Sequence, residues 1–275
     1  MVYRSSRIKL SAGQVFWREA GNRQNPVLIF LHGSWHDGSQ WEEMIEPLSQ
    51  DFHCFALDLL GYGNSTAIEP PTSIAIEVDC LAEFITALKL SPVYLIGHSL
   101  GAWIAISYTL KSPNLVRGVV TISPEGFSLN NWNKYSKFAK YLLAYPWRLS
   151  LWLTILKMLA SLSDSASRLE QMLTYWQFFQ KFPTTGGLLF RRSTKVVSSE
   201  LVASRLAELR PPLSILQNDL DPPIVIEQSK SYARSARKTE YHSLSSQSQQ
   251  QIFEKIKEFV DREQSKIDRE EFELW

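Results

Sequence analysis

The 275-residue chain predicts an α/β fold, with a mostly parallel central sheet, helices on both of its faces and an inserted helical cap. Three observations predict it. Short apolar runs around Val27, Phe55, Val93 and Val119 alternate with stretches of helical periodicity, the pattern of buried strands joined by crossover helices. The run Val93 to Ile96 passes through Gly97-His98-Ser99-Leu100-Gly101 into Ala102, Trp103, Ala105, Ile106 and Leu110, which reads as a strand, a sharp turn and a helix with little polar surface. Composition then changes between Phe127 and Arg205, where fourteen aromatic residues fall and eleven Lys/Arg face three Asp/Glu, a local charge of +8.

Taken in order, Ile8 to Leu10, the turn Ser11-Ala12-Gly13 and Gln14 to Glu19 predict a β-hairpin. Val27 to Leu31 is a continuous apolar strand ending at His32-Gly33-Ser34-Trp35, and Trp41 to Leu48 a short amphipathic helix. Phe52 to Leu57 is the next strand. It runs into Asp58-Leu59-Leu60-Gly61-Tyr62-Gly63-Asn64-Ser65, which is no dinucleotide fingerprint, because Thr66 stands at the third glycine and a loop follows. Ile74 to Leu88 repeats Val78, Leu81, Ala82, Ile85 and Leu88 at helical spacing behind Ser73 as N-cap. Val116 to Ile122 is a buried strand ending in Ser123-Pro124-Glu125. Helices are predicted at 132–144, 147–162 and 168–182, the second too short and too charged (Arg148, Lys157) to span a bilayer. The sheet resumes at Pro212 to Gln217, with Asn218-Asp219-Leu220-Asp221-Pro222-Pro223 after it. Thr239 to Tyr241 is a short last strand followed by His242, and Gln249 to Val260 a helix facing inward through Ile252, Phe253, Ile256, Phe259 and Val260. The tail from Asp261 to Trp275 is expected to fray. This divides the chain into a core of residues 1–126 and 206–275 and a cap of residues 127–205.

A net charge of +1 gives no reason to expect nucleic acid as a partner. Cys54 and Cys80 lie in apolar stretches and imply packing rather than a disulfide framework. Met1 to Gly21 has no apolar core of a secretory signal, so the expected location is cytoplasmic. No metal is expected, for there is no H-E-x-x-H and no Cys/His cluster at ligand spacing.

The turn at Ser99 carries the chemistry. In a strand–turn–helix context G-x-S-x-G is a nucleophile elbow: the serine is held in a strained conformation, side chains at Gly97 and Gly101 would collide with neighbouring backbone, and the helix N-terminus favours developing negative charge. The amides of Leu100 and of Ser34, the latter just past the His-Gly pair, are the candidate oxyanion-hole donors, with His32 a packing residue at the strand end. A serine hydroxyl needs a neutral imidazole to take its proton and a carboxylate to hold that imidazole's tautomer. Of five histidines, His98 is expected to point away from the base position, His32, His36 and His53 precede the elbow, and His242 alone follows it. Ser99, Asp221 and His242 are the candidate triad, their order along the chain being the nucleophile, acid, histidine order that goes with such an elbow. Glu125, after the strand that follows the elbow, is the alternative acid.

These stretches together resemble the serine-nucleophile branch of the α/β-hydrolase superfamily, whose esterases, lipases and C–C hydrolases carry a helical cap. The resemblance covers Val27 to Gly33, Asp58 to Ser65 (similar to D-x-x-G-x-G-x-S), Gly97 to Gly101, Asp219-Leu220-Asp221-Pro222 and His242 with its following helix. In that family the acid is commonly the second Asp of a G-x-x-D-P run, which maps to Asp221, while other members carry it where Glu125 stands. The histidine precedes, by a long helix, an aromatic corresponding to Phe259. The chain departs from the pattern at Tyr241, where Gly is usual before the histidine, and at Asn218, where a small residue is usual. The resemblance implies acyl transfer to Ser99 and hydrolysis by water, with no cofactor. Ser at the nucleophile position disfavours dehalogenase and epoxide-hydrolase chemistry. An aromatic cap implies a small lipophilic substrate: a carboxylester first, a diketone-type acid cleaved at a C–C bond second. A non-catalytic small-molecule binder on the same fold is the alternative of another class. The cap's cations, among them Lys134, Lys137, Lys140, Arg191, Arg192 and Lys195, are expected to face solvent. They form either an ordinary solvated face or a peripheral contact with an anionic membrane.

Overall fold

The computed structural model describes residues 3–69, 73–127, 177, 180–245 and 249–273. Nine strands form one sheet: β1 (Arg4–Leu10), β2 (Gly13–Ala20), β3 (Val27–Leu31), β4 (His53–Leu57), β5 (Thr66–Ala67), β6 (Val93–His98), β7 (Val116–Ile122), β8 (Leu213–Asn218) and β9 (Thr239–Leu244). Their spatial order is β1-β2-β4-β3-β6-β7-β8-β9, with β5 beside β2. β1, β2 and β4 pair antiparallel, and every pairing from β4 through β3 to β9 is parallel. The predicted hairpin is longer at both ends than its apolar core suggested.

The helices outside the insertion are α1 (Glu42–Leu48), α2 (Ile74–Leu88) and α3 (Leu100–Lys111) before it, and two later ones defined below. Ser73 caps α2 as its position predicts, its Oγ accepting from the Ile76 amide at 3.2 Å. The alternation of side chains along each strand splits the core in two. Ile29, Leu31, Leu57 and Leu95 pack with Val78, Leu81 and Phe84 of α2 and Trp103 and Ile106 of α3. Leu28, Phe30, Ala56, Tyr94, Ile96 and Val120 face the other way, against Ile45 and Leu48 of α1 and Ile256, Phe259 and Val260. Each fully buried aliphatic or aromatic side chain contributes about 1.5–3 kcal/mol, so two such clusters anchor the sheet from both sides. The free thiols of Cys54 and Cys80 lie buried, one in each cluster.

The predicted helices at 132–144 and 147–162 lie outside the described residues, as does most of 168–182. Between residues 127 and 205 the described elements are a helical turn at Pro183–Thr185, a π-helical turn at Gly186–Arg191, then α4 (Thr194–Glu200). Phe182, Leu188, Leu189, Val197, Val202 and Leu206 join the same core cluster as α2 and α3. Arg192, expected in solvent, is buried: it donates to the Leu188 carbonyl and pairs with Glu200, which also accepts from the Ile74 amide. It ties residues 188–200 to the start of α2. Arg191 and Lys195 are exposed, while Lys134, Lys137 and Lys140 lie outside the described residues.

Three features after the insertion differ from expectation. α5 (Pro223–Ser235) was not predicted; it starts on a proline and buries only Ser229 and Tyr232. β9 runs three residues past Tyr241, to Leu244. α6 spans Gln249–Glu273, so the charged tail continues as helix rather than fraying at Asp261. Pairs at helical spacing line it, including Lys255–Glu258 at 2.7 Å, Lys266–Glu263 at 2.7 Å and Gln264–Asp268 at 2.8 Å. No helix among the described residues is long and apolar enough to cross a membrane.

Candidate active site

Ser99 sits where β6 meets α3, at φ 51° and ψ −110°, a conformation in which a non-glycine residue is strained. Its neighbours impose the turn. A Cβ on Gly97 would approach the Ala102 nitrogen to 2.5 Å, and one on Gly101 would strike the Leu31 carbonyl. The Ser99 amide donates to the Ile122 carbonyl at 2.9 Å, which anchors the elbow to the end of β7.

The loop after β3 supplies the second wall. His32 is buried, and its Nε2 accepts from the Leu59 amide at 3.0 Å, so its Nδ1 donates to the Gly33 carbonyl at 2.9 Å. Burial lowers its pKa to about 4, consistent with a neutral structural imidazole. The Gly33 carbonyl also accepts from the His36 amide at 3.2 Å. That carbonyl shares a peptide plane with the Ser34 N–H, so fixing one aims the other. Neither Ser34 N–H nor Leu100 N–H donates a hydrogen bond to another described residue.

The 58–65 loop beneath is organised by Asp58. Its Oδ1 accepts from Gly38 N at 2.7 Å and Arg18 Nη1 at 2.9 Å, and its Oδ2 from Asn64 N at 2.7 Å. The Ser65 hydroxyl returns a bond to the Asp58 carbonyl at 2.7 Å. The D-x-x-G-x-G-x-S stretch is therefore a clamp joining β2, the 37–41 turn and the end of β4.

Glu125 touches Ser99. Ser99 Oγ donates to Glu125 Oε1 at 2.8 Å. β6 and β7 are parallel neighbours whose last residues, His98 and Ile122, are paired, so the residues just beyond them emerge side by side. The Glu125 amide donates to the Ser99 carbonyl at 3.3 Å, and its own carbonyl accepts from the Tyr232 hydroxyl of α5 at 2.6 Å. Burial raises the Glu125 pKa, against the lowering effect of the hydrogen bond from the Ser99 hydroxyl. Its second oxygen, Oε2, and the Ser34 Oγ are buried with no hydrogen-bond partner among the described residues.

Asp221 and His242 are not brought to Ser99 in the same way. Asp221 Oδ2 accepts from Ser123 Oγ at 2.5 Å and from Gln217 Nε2 at 2.7 Å. His242 lies inside β9, opposite Leu216 of β8 and two residues short of the strand end at Leu244. Its Nε2 is 3.4 Å from Glu240 Oε1, and Glu240 pairs in turn with Arg262 of α6 at 2.8 Å. The reason is register. Because β9 continues to Leu244, strand alternation turns His242 to the face of its i−2 neighbour Glu240 rather than releasing it into a loop at the carboxyl edge. All five histidines are described, and none hydrogen-bonds to Ser99. His53 pairs with Glu19 at 2.9 Å; His98, whose pKa burial lowers to about 4, meets Gln40 at 3.0 Å; His36 stacks edge-on to His98.

An elbow serine at the carboxyl edge of a mostly parallel sheet defines a class of protein, and sequence comparison agrees. Residues 26–244 match the profile of the alpha/beta hydrolase fold family, and the chain belongs to that family. It is 33% identical over 96 residues, 35% of this chain and 36% of the other, to an (E)-2-((N-methylformamido)methylene)succinate hydrolase of Acinetobacter baylyi. It is 31% identical over 134 residues, 46% of this chain and 38% of the other, to the 1-acylglycerol-3-phosphate O-acyltransferase ABHD5 of Rattus norvegicus. The chain thus aligns with little more than a third of the length of these curated relatives. A crystal structure of a putative lipase from Acinetobacter baumannii superposes with a TM-score of 0.70 over 96% of this chain and 93% of that one, at 17% identity, which speaks to the fold.

Proposed function

We propose that the chain is a cofactor-independent serine hydrolase of a lipophilic carboxylester, with Ser99 as nucleophile and Glu125 as the base that takes its proton. The observation that carries this reading is the 2.8 Å hydrogen bond between them. A hydroxyl is a weak nucleophile without a base in hydrogen-bond reach. An ordinary carboxylate is a weak base at neutral pH, but burial raises the Glu125 pKa and so strengthens the ionised group as a proton acceptor. Ionised Glu125 accepts the Ser99 proton as Oγ bonds the acyl carbon, and the carbonyl electron pair moves onto oxygen. The Ser34 and Leu100 amides receive that oxyanion; each such donor is typically worth about 2.7–4 kcal/mol in the transition state. Collapse expels the alkoxide, which takes the proton from Glu125. Water then repeats the sequence on the acyl-enzyme and restores Ser99. The aromatic residues between Phe127 and Arg205 favour a bulky apolar acyl or alcohol group.

The relay through Asp221 and His242 competes for the same proton. It requires His242 to leave Glu240 and reach both Asp221 and Ser99. A second reading, a non-catalytic binder of a small lipophilic molecule, is favoured by the absence of any histidine bonded to Ser99. A fluorophosphonate probe separates enzyme from binder: stoichiometric labelling at Ser99, abolished in Ser99→Ala, supports the hydrolase, and an unlabelled wild type rejects it. A chain-length series of aryl esters, run beside a diketone-type acid, then distinguishes ester from C–C cleavage.

A further inference from the structure

We infer that Thr185 and Tyr62 are positioning residues for the oxyanion-hole amide of Ser34, and that through them the insertion is wired to the catalytic edge of the sheet. The inference rests on the role proposed above for Ser34.

Thr185 lies in the helical turn Pro183–Thr185 and is fully buried. Its Oγ1 has two partners, the Ser34 carbonyl and, at 2.8 Å, the Tyr62 hydroxyl. A threonine hydroxyl has one proton, and a carbonyl oxygen can only accept. The Thr185 proton therefore goes to Ser34, and the Tyr62 hydroxyl must donate to Thr185. The chain has one direction: Tyr62 to Thr185 to the Ser34 carbonyl. Tyr62 is itself buried, and its ring meets His32 edge-on at 4.9 Å between centroids. Next door, Thr184 Oγ1 donates to the Gly61 carbonyl at 2.9 Å, so two consecutive threonines grip two different loops.

Ser34 is consequently held on both sides. His32 and the His36 amide fix the peptide before it, the one that carries its N–H, and Thr185 fixes the peptide after it. With both planes pinned, the backbone torsions of Ser34 cannot turn, and its N–H keeps one aim. Loss of the Thr185 hydroxyl leaves a buried carbonyl without its donor and the Tyr62 proton without an acceptor, freeing the second plane. The insertion thereby holds the oxyanion donor in place through its contact with the Ser34 carbonyl.

The test uses the full chain with Thr185→Val, which keeps the shape and removes the hydroxyl, Thr185→Ser, which restores it, and Tyr62→Phe. Aryl-ester kinetics and amide hydrogen exchange of a peptide spanning residues 32–37 are read together. Thr185→Val is expected to lower kcat at least about tenfold, the loss of one aimed transition-state donor being worth that or more, with little change in KM. Exchange in the 32–37 peptide is expected to rise severalfold. Thr185→Ser should return both readouts to near wild type, and Tyr62→Phe should raise exchange in the same peptide. Wild-type exchange in both Thr185→Val and Tyr62→Phe overturns the inference whatever the kinetics. A kcat loss that Thr185→Ser fails to rescue also overturns it, pointing to a merely structural role. A wild type that turns over no ester removes the proposed function, and the exchange measurements still decide the coupling.

Discussion

Replacing Asp58 by alanine removes the clamp beneath the site, and its magnitude can be worked from the contacts. Asp58 is completely buried. Loss of its carboxylate leaves two backbone donors, Gly38 N and Asn64 N, without their acceptor, at about 1–3 kcal/mol each. It also breaks the buried pair with Arg18, a change that by itself costs about 3–5 kcal/mol when the other charge is left alone. Arg18 keeps Glu42 at 2.8 Å, which offsets part of that loss. These losses come to about 5–11 kcal/mol before the Glu42 offset, so the net is at least about 4 kcal/mol, a large share of the roughly 5–15 kcal/mol available to a folded domain. At about 2–4 °C per kcal/mol, the melting temperature should drop by at least about 8–16 °C. Urea titration followed by far-UV circular dichroism measures this as a lower midpoint at unchanged slope. Asp79→Ala is the control: it removes a carboxylate paired with Lys111 on the surface, both more than half exposed, and should shift stability by no more than about 1 kcal/mol. If Asp58→Ala is no more destabilising than Asp79→Ala, the clamp is not what holds the 58–65 loop.

Other expectations follow from the same contacts. With Glu125 as base, kcat/KM should fall as pH drops through a value above the ordinary carboxylate range, because protonation removes the acceptor; the bend should persist in His242→Ala, and its disappearance there would assign it to the imidazole. Glu77 is buried in α2, and desolvation pushes its pKa up to about 8. It stays protonated in the fold while the unfolded chain ionises near about 4.3, so stability should fall by roughly 1.4 kcal/mol per pH unit from about pH 5 to about pH 8. Denaturant melts across that range should show Glu77→Gln without this slope and more stable than wild type at pH 8. Arg192→Met strands Glu200 beside the Ile74 amide and should cost about 3–5 kcal/mol in the same melts, whereas neighbouring Lys195→Met, at an exposed position, should change little.

Much of this arrangement was legible in the sequence because it is local. The elbow could be read from one strand, one turn and one helix, and α2 from its cap and its period of apolar residues. What escaped was set by pairing across distance. β9 reads Thr-Glu-Tyr-His-Ser-Leu, a half-exposed edge strand with no apolar run to mark its end, so its length depends on the register with β8. That register, two residues longer than His242 alone would suggest, decides which way the imidazole faces. α5 was missed because it buries so little, and the length of α6 because charge pairs rather than an apolar stripe support its second half. The Ser99–Glu125 contact had a usable signal: two consecutive buried strands, each ending in a short turn, become parallel neighbours whose first loop residues meet. Arg192 carried no such signal, since a cation in a basic segment reads as surface until its carboxylate partner, eight residues on, is folded back onto it.

Activation of Ser99 by Glu125 rather than by His242 can be read from the rate at which a fluorophosphonate labels Ser99, followed by intact mass in wild type, Glu125→Gln and His242→Ala at one pH near neutrality. A general base contributes about 10²–10⁴ in rate, so Glu125→Gln should label at least about a hundredfold more slowly while His242→Ala keeps nearly the wild-type rate. Labelling of Glu125→Gln at the wild-type rate, with His242→Ala unreactive, would contradict the account and return the proton to the histidine.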